Sequence, residues 1–104
     1  MENKIFEPAQ IGPLTLRNRT IRSAAFESMC PGHEPSQQLF DYHTSVARGG
    51  VGMTTIAYAA VTESGLSFDR QLVMCPEIVP GLKKLTDAIH EAGAAGHPYR
   101  RAAF

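Results

Sequence analysis

Apolar and polar positions change their period several times along the chain, and each change marks an element. From Ile5 to Leu16 short apolar-alternating pieces are broken by Gly12-Pro13. A Gly-Pro pair marks a turn, so Ala9-Gln10-Ile11 and Leu14-Thr15-Leu16 are expected to flank it as a small hairpin. Thr20 to Ala24, β-branched at its start, reads as a short strand, and Glu27 to Pro35 reads as a loop by composition. Leu39, Phe40, His43, Val46 and Ala47 then recur at the helical period. Ser36 is placed to cap that helix, which runs through about Arg48 until Gly49-Gly50 stops it.

Val51 to Val61 is apolar and threonine-rich without polar alternation, the pattern of a strand buried on both faces. A polar loop follows from Thr62 to about Gln71, and Cys75 to Val79 reads as an irregular lead-in. The second amphipathic helix spans Pro80 to Ala92, with Leu82, Leu85, Ile89 and Ala92 on its inner face. Pro80 suits a first helical turn, where its missing N–H costs little, and Gly93 supplies the stop. The order hairpin, β, α, β, α argues for parallel pairing through right-handed crossovers. That is a βα-barrel or a doubly wound sheet, seen in part.

Arg48-Gly49-Gly50-Val51-Gly52 has the composition of a phosphate-cradling loop but not its context. Such a loop runs from strand into helix, so that free N–H groups meet the anion. Here the order is helix, glycines, strand, and the helix end on offer carries partial negative charge. The cluster reads as a helix stop and a tight turn.

Composition narrows the classes. The chain has 104 residues, 43% hydrophobic and 19% charged, which fits one small globular domain. Lys+Arg and Asp+Glu each total 10, so no electrostatic footprint for nucleic acid or an anionic membrane is expected. The N-terminal MENKIFEPAQ has no apolar run of a signal peptide, and Thr54 to Val61 is too short to span a bilayer. A soluble, cytoplasmic protein is expected. Cys30 and Cys75 have neither metal-like nor redox-like spacing and are expected to be reduced. His33, His43, His90 and His97 show no ligand spacing, so no metal site is expected. Ser23, Ser28 and Ser36 lack a nucleophile-elbow context.

Four pieces, taken in order, carry a resemblance: IFEPAQIGPLTLRNR at 5–19, IRSAAFE at 21–27, ARGGVGMTTIAYAAV at 47–61 and GLKKLTDAIHEAG at 81–93. Together they resemble the old yellow enzyme family of FMN-dependent NAD(P)H:flavin oxidoreductases. The resemblance implies an α/β fold, the N-terminal portion of a (β/α)8 TIM barrel whose hairpin closes the barrel bottom. It implies FMN as cofactor and NAD(P)H as hydride donor, with an electron-poor acceptor such as an enone. It also places flavin-side positions on Ser23, Ala24 and Ala25 at the end of the first strand, and on Tyr58 at the end of the second. Small side chains there make physical sense, because a flat ring can approach only where nothing bulky projects. Phe26 stands where the family often has Thr or Cys, which puts redox tuning from that side chain in doubt.

The resemblance is expected to hold over 1–95 and to give way to a divergent tail at 96–104. The family's third-strand glutamine, its His-Asn or His-His substrate pair and its phosphate site have no match. His97, Pro98, Arg100 and Arg101 sit where a buried third strand is expected, so the tail reads as an interruption near Gly96, such as a frameshift. A truncated, inactive part of a flavin enzyme is the resulting expectation. Two strands with open edges would favour self-association. The alternative is a non-enzymatic interaction module that completes its sheet with another chain.

Overall fold

The computed structural model describes residues 4–101, with the side chains of residues 58 and 96–101 outside the description. The hairpin forms where the Gly-Pro break placed it. β1 (Ala9–Ile11) pairs antiparallel with β2 (Leu14–Leu16), and Gly12 takes φ +56°, a conformation glycine adopts without a Cβ penalty. β3 (Ile21–Arg22), β4 (Met53–Ala60) and β5 (Ala95–Arg101) form a second sheet in the order β3-β4-β5, parallel throughout.

α1 (Gln37–Arg48) connects β3 to β4, and α2 (Val79–Glu91) connects β4 to β5. Ser36 caps α1 by accepting the Leu39 N–H at 3.1 Å, and its hydroxyl donates to the Met29 carbonyl. The buried face of α1 is Leu39, His43, Thr44 and Ala47, so Thr44 lies deeper than the expected Phe40 and Val46. Thr44 can be buried because its hydroxyl donates back to the Phe40 carbonyl at 2.9 Å. A single 3-10 turn at Pro76–Ile78 leads into α2. Leu85 and Ile89 of α2 meet Leu39, Ala47, Ile56 and Ala59 in one core, which Cys30, Leu72 and Ile78 extend. Burying a side chain such as Leu39, Ile56, Leu85 or Ile89 contributes about 1.5–3 kcal/mol.

One expectation about the strands needs correction. The first strand was expected to reach Ala24, but its ladder stops at Arg22. Residues 95–101 are a strand, paired with β4 from Met53↔Ala95 to Ala60↔Arg101. Pro98 is tolerated because β5 is an edge strand and the register shifts just past the Ile56↔Pro98 pair. Edges and bulges are the places where a missing N–H does not break a ladder.

The end of the sheet where the strands begin is tied together by three residues after the hairpin. The Arg17 guanidinium donates to the Val51 carbonyl from Nε at 3.1 Å, to Ala92 from Nη1 at 2.9 Å, and to Ala47 from Nη2. It thus collects the carbonyl ends of both helices. Asn18 donates to the Gly50 carbonyl at 2.6 Å, and the Gly52 N–H reaches the Thr20 carbonyl at 3.0 Å. A Cβ on Gly52 would lie 2.5 Å from the Asn18 carbonyl oxygen, so only glycine fits. Gly93 takes φ +94°, a conformation that favours glycine, while its close neighbour, Arg17 Nη1 at 2.3 Å from where a Cβ would stand, is the movable end of a side chain.

The architecture is the N-terminal portion of a (β/α)8 barrel: a hairpin, two βα units and the following strand. Its extents of 50 × 27 × 22 Å describe a slice of barrel wall. Apolar side chains are left on the open surface, among them Ile5, Phe6, Ile11, Leu14 and Ile21. No helix among the described residues is long and apolar enough to cross a membrane.

Candidate functional site

The opposite end of the sheet is where the strands finish, and all three run the same way, so their C-terminal ends share one face. In βα-barrels chemistry is placed on that face. Ser23, Ala24 and Ala25 follow directly on β3 there, and all three are exposed. Tyr58 lies on the last part of β4; its side chain is outside the described residues. Phe26 is half-buried and stacks on Phe68, with ring centroids 4.7 Å apart and 23° between planes. That stack ties the segment after β3 to the loop after β4.

Behind this row lies a polar cluster that sequence reasoning missed. The His43 Nε2–H donates to Glu27 Oε2 at 2.7 Å, and His43 Nδ1 meets Thr54 Oγ1 at 2.8 Å. Glu27 and His43 side chains are only 5% and 0% exposed. Both Glu27 carboxylate oxygens also accept the Ala57 N–H, each at 3.2 Å. A buried carboxylate is tolerable only when its lone pairs are matched in this way. The signal available in the sequence was His43 itself, a polar residue among Leu39 and Ala47 on a core-facing stripe. Such a residue needs a partner, although nothing local names Glu27 as that partner.

Two further groups shape the rim. Gln71 is 1% exposed; its Oε1 accepts the Ser67 and Phe68 N–H groups at 2.9 and 3.3 Å, while its Nε2 has no hydrogen-bond partner among the described residues. The His33 Nδ1–H donates to the Gln71 carbonyl at 2.9 Å, which fixes that tautomer. Cys30 and Cys75 are free thiols. Burial, with the Glu27 carboxylate nearby, pushes the Cys30 thiol up to about 12, so Cys30 is an inert core residue. Among the described residues no group of three or more His, Cys, Asp or Glu side chains could hold a metal ion.

A cavity of about 500 Å³ opens between the Gly32–Glu34 turn, Val61–Glu63 and the Val73–Ile78 segment. Ser23, Ala24 and Ala25 do not line it. The row of small residues is instead exposed, and its own side chains extend no further than Cβ or Oγ.

Comparison with known proteins agrees with this architecture. The model of the NADH:flavin oxidoreductase / NADH oxidase family matches residues 4–96. A 4,4'-dithiodibutanoate disulfide reductase from Rhodococcus erythropolis is 51% identical over 90 residues, covering 86% of this chain and 22% of the relative. An NADPH dehydrogenase from Bacillus subtilis is 32% identical over 99 residues, covering 90% of this chain and 29% of the relative. Among solved structures, a 2-naphthoyl-CoA reductase in complex with 2-naphthoyl-CoA superimposes with a TM-score of 0.88 at 25% identity, covering 93% of this chain and 15% of that one. The chain thus spans less than a third of the length of each of these relatives. With a family match over nearly all of its described residues, it belongs to the NADH:flavin oxidoreductase / NADH oxidase family.

Proposed function

We propose that the chain supplies the first part of an FMN-dependent NAD(P)H oxidoreductase, with hydride passing from NAD(P)H through FMN to an electron-poor acceptor. The observation that carries this reading is the exposed small-residue row Ser23–Ala25 at the C-terminal end of β3, on the face that barrels use. FMN fits that row: Ser23, Ala24 and Ala25 would lie along the ring, with Tyr58 at the neighbouring strand end. When bound, the flavin supplies the redox chemistry, and the protein supplies binding and orientation. This chain's own contribution is to hold that segment open and to keep bulk away from it. Three parallel strands do not close a barrel, so the chain alone binds FMN weakly and turns nothing over. Its relatives' greater length supports the same view.

The test is a chimera in which residues 4–96 replace the matching segment of the Rhodococcus relative. Near one equivalent of bound FMN and NAD(P)H oxidation proportional to protein are expected, against free-flavin background for the 104-residue chain. A folded chimera without flavin overturns the reading.

A second reading is favoured by the open edges of β3 and β5 and by exposed Ile5, Phe6, Ile11 and Ile21. In it the chain is a non-enzymatic module that completes its sheet with another chain, a second copy included. Such a module is a stable oligomer or complex of fixed size by light scattering, and a chain that stays monomeric or aggregates without limit excludes it.

A further inference from the structure

The β3–β4 ladder covers Ile21↔Met53 and Arg22↔Thr54 and then ends, although β4 continues to Ala60. Main-chain groups inside a fold need partners, so the rest of this edge must be satisfied by something else. Side chains of the departing chain do it. Arg22 Nη1 donates to the Thr55 carbonyl at 2.8 Å, and the Glu27 carboxylate takes the Ala57 N–H. Further along, Ala60 exchanges hydrogen bonds with Leu72 and Met74, both at 2.8 Å. Since β5 pairs with Ala60 on the other edge, residues 72–74 occupy the lane that β3 has left.

The two side-chain anchors are joined through α1. Arg22 Nη2 donates to the Tyr42 hydroxyl at 3.1 Å, and its guanidinium carbon lies 4.9 Å from the centre of the Tyr42 ring. The Tyr42 ring meets His43 edge-on at 5.3 Å, and His43 in turn holds Glu27. Ser23–Phe26 is the stretch strung between the anchors.

We propose that Glu27 is a positioning residue. Pinned by the Ala57 N–H and by His43, it fixes the far end of Ser23–Phe26 as Arg22 fixes the near end. The segment is thereby held as an open bridge with small side chains outward, in place of a strand zipped onto β4. The part of this inference that concerns a ligand rests on the flavin reading above; the part that concerns the backbone does not.

Amide-resolved NMR on the 104-residue chain tests both. Glu27→Ala should lower Ala57 exchange protection at least tenfold and broaden Ala24 and Ala25, with Leu85 and Ile89 unchanged. Glu27→Gln, which keeps an accepting oxygen, should restore most of that protection. Equal protection in all three chains overturns the proposal. Millimolar FMN supplies the last arm. Wild-type shifts at Ala24 and Ala25 that vanish in Glu27→Ala support the positioning role, and identical shifts in both overturn it. If FMN shifts neither chain while the exchange differences appear, the positioning role stands and the flavin reading fails.

Discussion

The two ends of the sheet solve the same problem, unpaired main-chain groups, in opposite ways. Where the strands begin, Arg17, Asn18 and Thr20 bond main-chain groups of both helix ends and of the Gly50–Gly52 turn, and Gly52 must be glycine because main-chain oxygens stand so close. Where the strands finish, Arg22, Glu27 and Gln71 serve main-chain groups, but Ser23–Ala25 stays exposed and the Gln71 Nε2 has no partner among the described residues. The first end spends its polar side chains on closure, and the second on keeping a surface open. This division matches the separation of stability and chemistry between the two faces of βα-barrels.

Substitutions can break that contrast. The largest effect is expected for Gly52→Ala at the closed end. Its Cβ would stand 2.5 Å from the Asn18 carbonyl oxygen and 2.9 Å from that of Thr20, both main-chain atoms that cannot yield cheaply. A loss of about 3 kcal/mol in urea unfolding is expected. Ala25→Ser, on the open row, should by contrast leave the midpoint unchanged. Arg17→Met removes the bonds to Ala47, Val51 and Ala92 together and should cost about 2 kcal/mol, read in the same experiment. A shift below a few tenths would show that the closed end does not depend on the guanidinium.

Ser36→Ala tests the open end's own anchor, the cap of α1, and should cost about 1 kcal/mol, with Ser36→Asp retaining most of it. The smallest effect belongs to Glu77. Hydrogen bonds from its own main chain and from the Cys75 side chain hold its carboxyl below the usual carboxylate range. A group depressed in the folded state adds stability above its unfolded pKa and loses it as pH falls through the folded one. Stability of the wild-type chain should therefore decline slightly more steeply in acid than that of Glu77→Gln. Glu77 is fully exposed to solvent, so the difference should be near the limit of measurement.

What the sequence disclosed follows the range of the interactions. α1 was legible from Ser36, the Leu39–Ala47 stripe and Gly49-Gly50 because cap, face and stop all lie within the helix. The hairpin was legible for the same reason. The end of β3 was not, because what stops the ladder is a pair of side chains reaching Thr55 and Ala57, far along the chain. β5 was harder to read because Pro98 and two arginines argue against a central strand, and its place at the edge of this sheet, with a register shift beside the proline, shows only in the pairing. At the candidate site, Ser23–Ala25 stand exposed at the strand end where the resemblance put them. Glu27 was part of the quoted IRSAAFE piece, yet its partner His43 is visible only once α1 is packed on β4.

The Arg17 contacts have a consequence for how such a chain can change over time. One guanidinium touches the last turns of two successive βα units, at Ala47 and at Ala92, and so gauges both units from a single origin. An insertion in the loops after β3 or β4 leaves that gauge undisturbed, because each helix can still return to the same point. An insertion in the Gly49–Gly52 or Ala92–Ala94 turns moves a carbonyl out of reach. Length variation should therefore gather on the open face, where new loops can alter what is bound without disturbing the tie that holds the repeats in step.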